Sequence, residues 1–279
     1  MKKTSPAHPA PLSVLLLALS LAGCFGGEDG DKGSPVGPGG ASGKKIAPGT
    51  YVGDYRPYDS THSLESEFTL GADGAFRTFL IAENQPFLDL KGSWFQQDSN
   101  LHFTGVTEAY GDGGFFDSGT TVEGDTNLVR EITDSSFIRK EWTPLRVKPY
   151  WITYKKKSFA PIKPGNYLFQ TEFVSDSATR IGRIRIEMDG TGVLYRYSLD
   201  SLEIVQEKAV WFQQGSILGN RNYEYRQFDT TTQSFGAWET IPWSWLKRTS
   251  EVSDTAFWIW APPESFLEMG AWEIYRKVP

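Results

Sequence analysis

The chain has 279 residues, a formal net charge of −6 and 39% hydrophobic residues, which is enough for one large domain or two small ones. An acidic chain of this kind is not expected to bind nucleic acid through its charge. The single cysteine excludes an internal disulfide, and 28 glycines with 16 prolines favour many short strands and turns over long helices.

The N-terminal segment has the layout of a secretory signal. Lys2 and Lys3 precede an apolar run over residues 12–21, and small residues follow it. The run is too short to cross a bilayer, which takes about 20 apolar residues. Residues 1–23 are therefore predicted to be a cleaved signal peptide, and their loss would remove two lysines and change the formal charge from −6 to −8.

The signal ends in Leu21-Ala22-Gly23-Cys24, which resembles the lipobox of bacterial lipoproteins. The resemblance implies that the Cys24 sulfur receives a diacylglycerol and that the new amino terminus is acylated, for example with palmitate. Two or three acyl chains hold a protein stably on a membrane. The residue after the cysteine is Phe25 rather than an aspartate, and in this the chain resembles lipoproteins sent to the outer membrane. The expected location is therefore the cell envelope of a diderm bacterium, with the outer membrane as the expected site.

Residues 24–45 are predicted to be a disordered tether, because glycine, proline, serine and charged residues leave little to bury. A flexible segment of this length would hold the body on the order of 25–30 Å from the lipid.

The rest of the chain contains an internal duplication. Pro48-Gly49-Thr50-Tyr51 recurs as Pro164-Gly165-Asn166-Tyr167. Three further matches follow in the same order with slowly drifting offsets: 94–97 with 211–214, 131–137 with 251–257, and 151–156 with 272–277. A period this long indicates tandem domains, predicted at 46–157 and 158–279.

Each copy has the pattern of short antiparallel strands. Apolar and polar residues alternate from Leu64 to Leu70, Asp73-Gly74 supplies a hairpin turn, and Asp189-Gly190 repeats it in the second copy. Further strands of the first copy are predicted at 50–56, 75–81, 90–96, 100–106, 127–132, 136–142 and 150–156. Eight sequential strands per copy predict an all-β protein of two small up-and-down barrels; a β-sandwich is the alternative.

The strand motifs are similar to those of lipocalin-like domains in secreted bacterial lipoproteins. The shared features are Pro-Gly-x-Tyr at the first strand, Asp-Gly hairpins, Gly92-x-Trp94, and a closing Trp-x-x-Tyr-Lys strand. The resemblance implies a barrel with a general capacity to bind ligands. It implies no particular ligand, since the Gly-x-Trp motif lies near the fourth strand rather than in the first.

The sequence predicts no catalytic centre, metal site or cofactor. His62 and His102 have no counterparts in the second copy, and no Gly-x-Ser-x-Gly, phosphate loop or dinucleotide motif is present. Four acids lie in a glycine-rich stretch typical of a solvated connection: Asp112, Asp117, Glu123 and Asp125. They are the basis for glycan hydrolysis as an alternative.

The tryptophans give the candidate ligand-binding residues. Trp94 with Trp211, and Trp151 with Trp272, recur in both copies and are therefore predicted to be core residues. Four others have no aromatic counterparts in the first copy at the positions that can be aligned: Trp243, Trp245, Trp258 and Trp260. The members of each pair are two residues apart, so the four indoles could meet on one face if the two strands are neighbours. They would then form either a core or a platform for a sugar or apolar ligand.

These observations favour a non-enzymatic, lipid-anchored envelope protein that binds a small apolar ligand, a sugar or a surface partner. The alternatives are a carbohydrate-binding or glycan-hydrolysing surface protein and a purely structural or assembly lipoprotein.

Overall fold

The computed structural model describes residues 43–55, 64–112, 115–116, 119–141, 150–172, 179–187, 190–197, 203–242, 244–261 and 271–279. Every regular element in these ranges is a β-strand. Cys24, His62 and Trp243 lie outside the described residues.

The described residues of the first half form ten strands: β1 Gly49–Tyr55, β2 Leu64–Leu70, β3 Ala75–Ala82, β4 Gln85–Gln97, β5 Asn100–Asp112, β6 Phe115–Phe116, β7 Thr120–Val122, β8 Thr126–Arg130, β9 Ser136–Glu141 and β10 Tyr150–Lys156. Those of the second half form ten more: β11 Gly165–Glu172, β12 Thr179–Ile186, β13 Thr191–Tyr197, β14 Glu203–Gln214, β15 Ile217–Asp229, β16 Ser234–Phe235, β17 Glu239–Thr240, β18 Ser244–Ser250, β19 Ala256–Ala261 and β20 Ala271–Val278.

Each half closes into an antiparallel barrel of eight strands. Barrel 1 runs β1-β2-β3-β4-β5-β8-β9-β10 and closes where β10 pairs with β1. Barrel 2 runs β11-β12-β13-β14-β15-β18-β19-β20 and closes where β20 pairs with β11. The prediction of two tandem barrels is confirmed, and the sandwich alternative is wrong.

The two barrel cores repeat one aromatic arrangement. In barrel 1, Tyr51 meets Phe137 edge-on at 4.9 Å, and Phe137 stacks on Tyr154 at an interplanar angle of 11°. In barrel 2, Tyr167 meets Phe257 at 4.8 Å, and Phe257 stacks on Tyr275, again at 11°. The duplicated motifs therefore build equivalent cores, because strand alternation directs the same positions inward in both copies.

A glutamine at equivalent positions of the two barrels holds the segment that leads into each barrel. The Gln96 carbonyl accepts from the Ile46 N–H at 2.9 Å, and its amide donates to the Lys44 carbonyl. In barrel 2, Gln213 holds Ile162 and Ala160 in the same way. The repeated glutamine thus fixes the entering chain beside the fourth strand of each barrel.

Two observed strands are longer than predicted: β5 continues to Asp112 rather than ending at residue 106, and β4 begins at Gln85 rather than near residue 90. Glu83 and Asn84 form the preceding turn, both with positive φ, 48° and 68°. Two-residue hairpin turns of this kind usually contain glycine, so the sequence carried no turn signal at this point.

The tryptophans predicted to be core residues divide into two groups. Trp211 is buried in barrel 2, and Trp94 is half-buried against the core of barrel 1. The core assignment is wrong for Trp151, which is 37% exposed. Because Trp151 precedes the buried Ile152 on β10, strand alternation directs the indole outward.

The barrels are packed against each other through an apolar cluster. Phe79, Ile81, Ala109 and Phe116 of barrel 1 meet Ile217 and Leu246 of barrel 2, and all six are buried. The short strand β6 also pairs with β18 of barrel 2. Burial of this cluster stabilises one fixed arrangement of the two barrels, since each Ile or Leu side chain removed from water contributes about 1.5–3 kcal/mol.

Gly215 makes close packing of the barrels possible. Its φ is +59°, and a Cβ at this position would lie 1.7 Å from the Glu67 Oε1 atom of barrel 1. Gly105 has nearly the same φ, +58°, with no atom within 4 Å of a built Cβ. The two glycines thus share a backbone requirement, but only Gly215 lies at the barrel contact.

We expect Gly215→Ala to lower the free energy of unfolding much more than Gly105→Ala. Both substitutions place alanine in the left-handed region, which costs about 1–2 kcal/mol. Gly215→Ala also displaces a buried carboxylate from its partners, which adds about 3 kcal/mol. Urea denaturation of both variants measures the difference. Equal losses would show that the Gly215 contact contributes nothing to the packing of the barrels.

Candidate functional site

A cleft of about 370 Å³ lies where the two barrels and their linker meet. Barrel 1 contributes Asn84, and the linker contributes residues 157–160. Barrel 2 contributes Gln213, Ser216, residues 248–252 and Trp272. A volume of this size falls in the range of small-molecule sites. We refer to it as the inter-barrel cleft.

The linker is fixed in place as one wall of the cleft. The Gln213 amide donates to the Ala160 carbonyl at 3.0 Å, and the preceding Phe159 ring lies 5.1 Å from the Lys157 ammonium. The linker therefore adds an aromatic ring and a positive charge to the lining.

Arg248 connects the cleft to barrel 1. Its guanidinium donates to both Glu65 carboxylate oxygens, at 2.8 and 2.9 Å, and to the Asn84 side-chain oxygen at 3.1 Å. A guanidinium held by a two-oxygen contact has a fixed orientation. Arg248 thus presents a positioned cation at the cleft, and its pairing with Glu65 reduces the local net charge.

Trp272 is the indole of the cleft and belongs to an aromatic pair on the outer surface of barrel 2. It lies opposite Trp260 across β19 and β20, with ring centroids 5.3 Å apart. Trp258 lies two residues before Trp260 on the same side of β19, because the intervening Ile259 points into the core. The outer face of β19 and β20 therefore carries three indoles, one of which lines the cleft.

The predicted platform of four indoles is wrong in its geometry. β18 and β19 are neighbours as expected, but Trp245 points into barrel 2 and meets Trp211 edge-on at 5.3 Å. Trp258 and Trp260 point outward, and Trp243 lies outside the described residues. The two strands place their tryptophans in opposite phases of the alternation, which residue spacing within each strand does not reveal.

Trp272 was missed because it recurs as Trp151 and was therefore assigned to the shared core. The useful signal was the alternation of β20, where the buried Tyr275 fixes the inward phase and places residue 272 in the outward phase.

A buried carboxylate lies directly behind the cleft. The Glu67 oxygens accept from the Ser216 N–H at 2.9 and 3.1 Å and from the Ser216 hydroxyl at 2.6 Å. Burial raises the pKa of Glu67 to about 7, aided by the neighbouring Glu65, while Ser216 and Arg248 oppose the shift. Glu67 therefore changes charge near neutral pH at the contact between the barrels.

The Glu67 shift predicts a pH dependence of stability. A raised pKa in the folded state means that the folded chain binds more protons than the unfolded chain between about pH 4.5 and 7. We expect the free energy of unfolding to fall as pH rises through this window, by on the order of 3 kcal/mol from this group.

Chemical denaturation of the wild-type chain and Glu67→Gln across this pH window measures the Glu67 contribution as the difference between the two curves. The amide keeps an acceptor for Ser216 but does not titrate, so the fall should be smaller in this variant. Asp54→Asn, which changes an exposed carboxylate of barrel 1, is the control. Parallel curves for the wild-type chain and Glu67→Gln would contradict the assignment.

The interior of barrel 1 holds an ion pair that the residues at the equivalent positions of barrel 2 cannot form. The Arg139 guanidinium donates to the Glu141 carboxylate and to the Tyr154 hydroxyl, which donates to the Ser66 hydroxyl. Burial raises the pKa of Glu141, although the guanidinium opposes the shift. At the 120-residue offset the equivalent positions hold Ile259 and Ala261. The pair is hydrogen-bonded throughout, so it fits a role in specifying the interior packing of barrel 1.

The remaining candidate groups are dispersed. Asp125 accepts from the Thr126 N–H and from the Asn127 amide, and Asp117 lies outside the described residues. Across the described ranges, no group of three or more histidine, cysteine or acidic side chains is placed to hold a metal ion. The same ranges contain no helix with the length and apolar character needed to cross a membrane.

Neither a protein-family model nor a curated protein matches this sequence.

Proposed function

We propose that this chain is a non-enzymatic, lipid-anchored envelope protein that binds a small ligand in the inter-barrel cleft. The observation that carries the proposal is the composition of the cleft, which is lined by both barrels and the linker and includes the Trp272 indole. A cleft made from two fixed halves is preorganised, so a ligand pays little ordering cost on binding.

The lining favours a sugar over a purely apolar ligand. An indole packs against the C–H face of a sugar ring, while Asn84, Ser250 and Arg248 offer polar groups at the same cleft. A site for a purely apolar ligand would be lined mainly by hydrophobic side chains. The proposed ligand class is therefore an oligosaccharide of the envelope.

We expect Trp272→Ala to weaken glycan binding by about tenfold or more, because the indole provides the apolar surface under the sugar ring. Trp151→Ala is the matched control, since it removes the equivalent tryptophan of barrel 1, away from the cleft. Titration of envelope oligosaccharides followed by calorimetry measures both affinities. Equal affinities of the two variants would place the site elsewhere.

Support for the anchor comes from the sequence. Cys24 is the chain's only thiol, and it follows a signal-like segment at a lipobox-like site. Acylation at Cys24 would place the two barrels at the end of the tether, close to a membrane surface.

We expect Cys24→Ser to abolish incorporation of labelled palmitate and to release the chain from membranes washed with alkaline carbonate. Acyl chains inserted in the bilayer resist such a wash, whereas surface contacts do not. Metabolic labelling and fractionation of the wild-type and Cys24→Ser chains test this expectation. A variant that still resists the wash would show that residue 24 is not the anchor.

A further inference from the structure

Barrel 1 has an exposed apolar face that no role described above uses. Among the described residues, four large hydrophobic side chains are exposed, and three of them lie on barrel 1: Phe95 at 49%, Leu128 at 40% and Trp151 at 37%. These three side chains lie on strands that are paired in the order β4-β5-β8-β9-β10. The fourth, Leu168 at 41%, lies on β11 of barrel 2.

The face is aromatic as well as apolar, and it carries two cations. Phe95 stacks on His102 at 4.5 Å with an interplanar angle of 8°, and the Arg130 guanidinium lies 4.0 Å from the Trp151 ring. Arg130 also pairs with the exposed Glu131 at 3.5 Å. Lys140 pairs with Trp151 across β9 and β10. We call the set Phe95, His102, Leu128, Arg130, Lys140 and Trp151 the barrel-1 outer face.

The equivalent face of barrel 2 is a contact surface. The repeat offsets place Phe212, Arg248 and Trp272 at the positions of Phe95, Leu128 and Trp151. Phe212 packs against the apolar cluster between the barrels, Arg248 pairs with Glu65, and Trp272 lines the inter-barrel cleft. The duplicated fold thus uses this face for binding, and in barrel 1 it is exposed.

A second copy of the chain does not fit the barrel-1 outer face in the way that barrel 1 fits barrel 2. The docking carboxylate Glu67 corresponds to Arg183 in barrel 2, and its partner Ser216 corresponds to Ser99 in barrel 1. An arginine cannot accept a hydrogen bond from the Ser99 N–H. The complementarity that joins the two barrels is therefore lost at this pair.

The first described residues lie beside the barrel-1 outer face. Gln96, which follows Phe95, holds the Lys44 carbonyl, and the Lys44 ammonium pairs with Asp134 at 2.9 Å. Asp134 lies between β8 and β9, the strands that carry Leu128 and Lys140. About 20 residues separate Lys44 from Cys24, and a random chain of that length spans roughly 22–27 Å.

We propose that the barrel-1 outer face docks on the surface of the lipid bilayer that holds the anchor. The inference rests on the lipid anchor proposed above. Trp, Phe and Leu side chains bury their apolar parts at the level of the lipid head groups, while Arg130 and Lys140 meet lipid phosphates. The tether keeps the effective concentration of the face near the membrane high, which adds to the binding that the face has on its own.

The test uses the mature chain, residues 24–279, with Cys24→Ser, so that binding does not depend on acylation. Its probe is vesicles of phosphatidylethanolamine and phosphatidylglycerol, with co-sedimentation as the measurement. We expect the double substitution Phe95→Ser/Trp151→Ser to weaken vesicle binding by about tenfold or more. Leu168→Ser, the matched exposed leucine on barrel 2, should leave binding unchanged.

A fluorophore on Thr153→Cys, beside Trp151 on the same side of β10, gives a second readout. Its emission should shift to the blue with vesicles and should not shift in the Phe95→Ser/Trp151→Ser background. A label on Leu168→Cys should remain unshifted. No vesicle binding, equal binding of the double variant and the Leu168→Ser control, or equal shifts at both labels would overturn the proposal. Failure of the anchor itself is detected separately, by palmitate labelling of the wild-type chain.

Discussion

The hydrogen bonds between the Glu67 carboxylate and Ser216 are the interaction on which the joint structure of the two barrels depends. A buried carboxylate is costly unless its oxygens are satisfied, and Ser216 supplies both a backbone and a hydroxyl donor. The adjacent apolar cluster contributes buried apolar surface, which has no directional preference. The hydrogen bonds of the carboxylate are directional and therefore fix how one barrel is aligned on the other. This contact lies next to the inter-barrel cleft, where Asn84 of barrel 1 accepts from Arg248 of barrel 2. Site and interface are thus one unit, and a change that loosens the barrels should also open the cleft.

Much of the fold could be predicted because a barrel strand with one buried face alternates. The pattern from Leu64 to Leu70 and the Asp73-Gly74 turn predicted the first hairpin correctly. The contact between the barrels could not be predicted in this way. Phe79, Leu80 and Ile81 are consecutive and all buried, since one phase faces the barrel core and the other faces barrel 2. Such a run indicates burial on both sides of a strand, but it does not identify what lies on the outer side.

The candidate site shows the same limit. Their spacing of two residues correctly predicted that Trp258 and Trp260 lie on the same side of β19, because this depends only on local strand geometry. It did not place Trp245, whose phase is set by the pairing of β18 with its neighbours. Trp272 was overlooked for a related reason, since recurrence in both copies indicates a shared position and not a buried one.

The contact between the barrels joins two different faces, because the surface that barrel 1 uses is not equivalent to the surface that barrel 2 uses. A contact of this type is open-ended, because each added unit leaves one unmatched face at either end. A duplicated domain joined in this way risks growth into filaments unless its ends are altered. Arg183, in place of Glu67, removes the carboxylate that the next unit would need, and it stacks on the neighbouring Tyr195 at 4.9 Å. Barrel 2 therefore does not offer a further unit the carboxylate contact that joins barrel 1 to barrel 2.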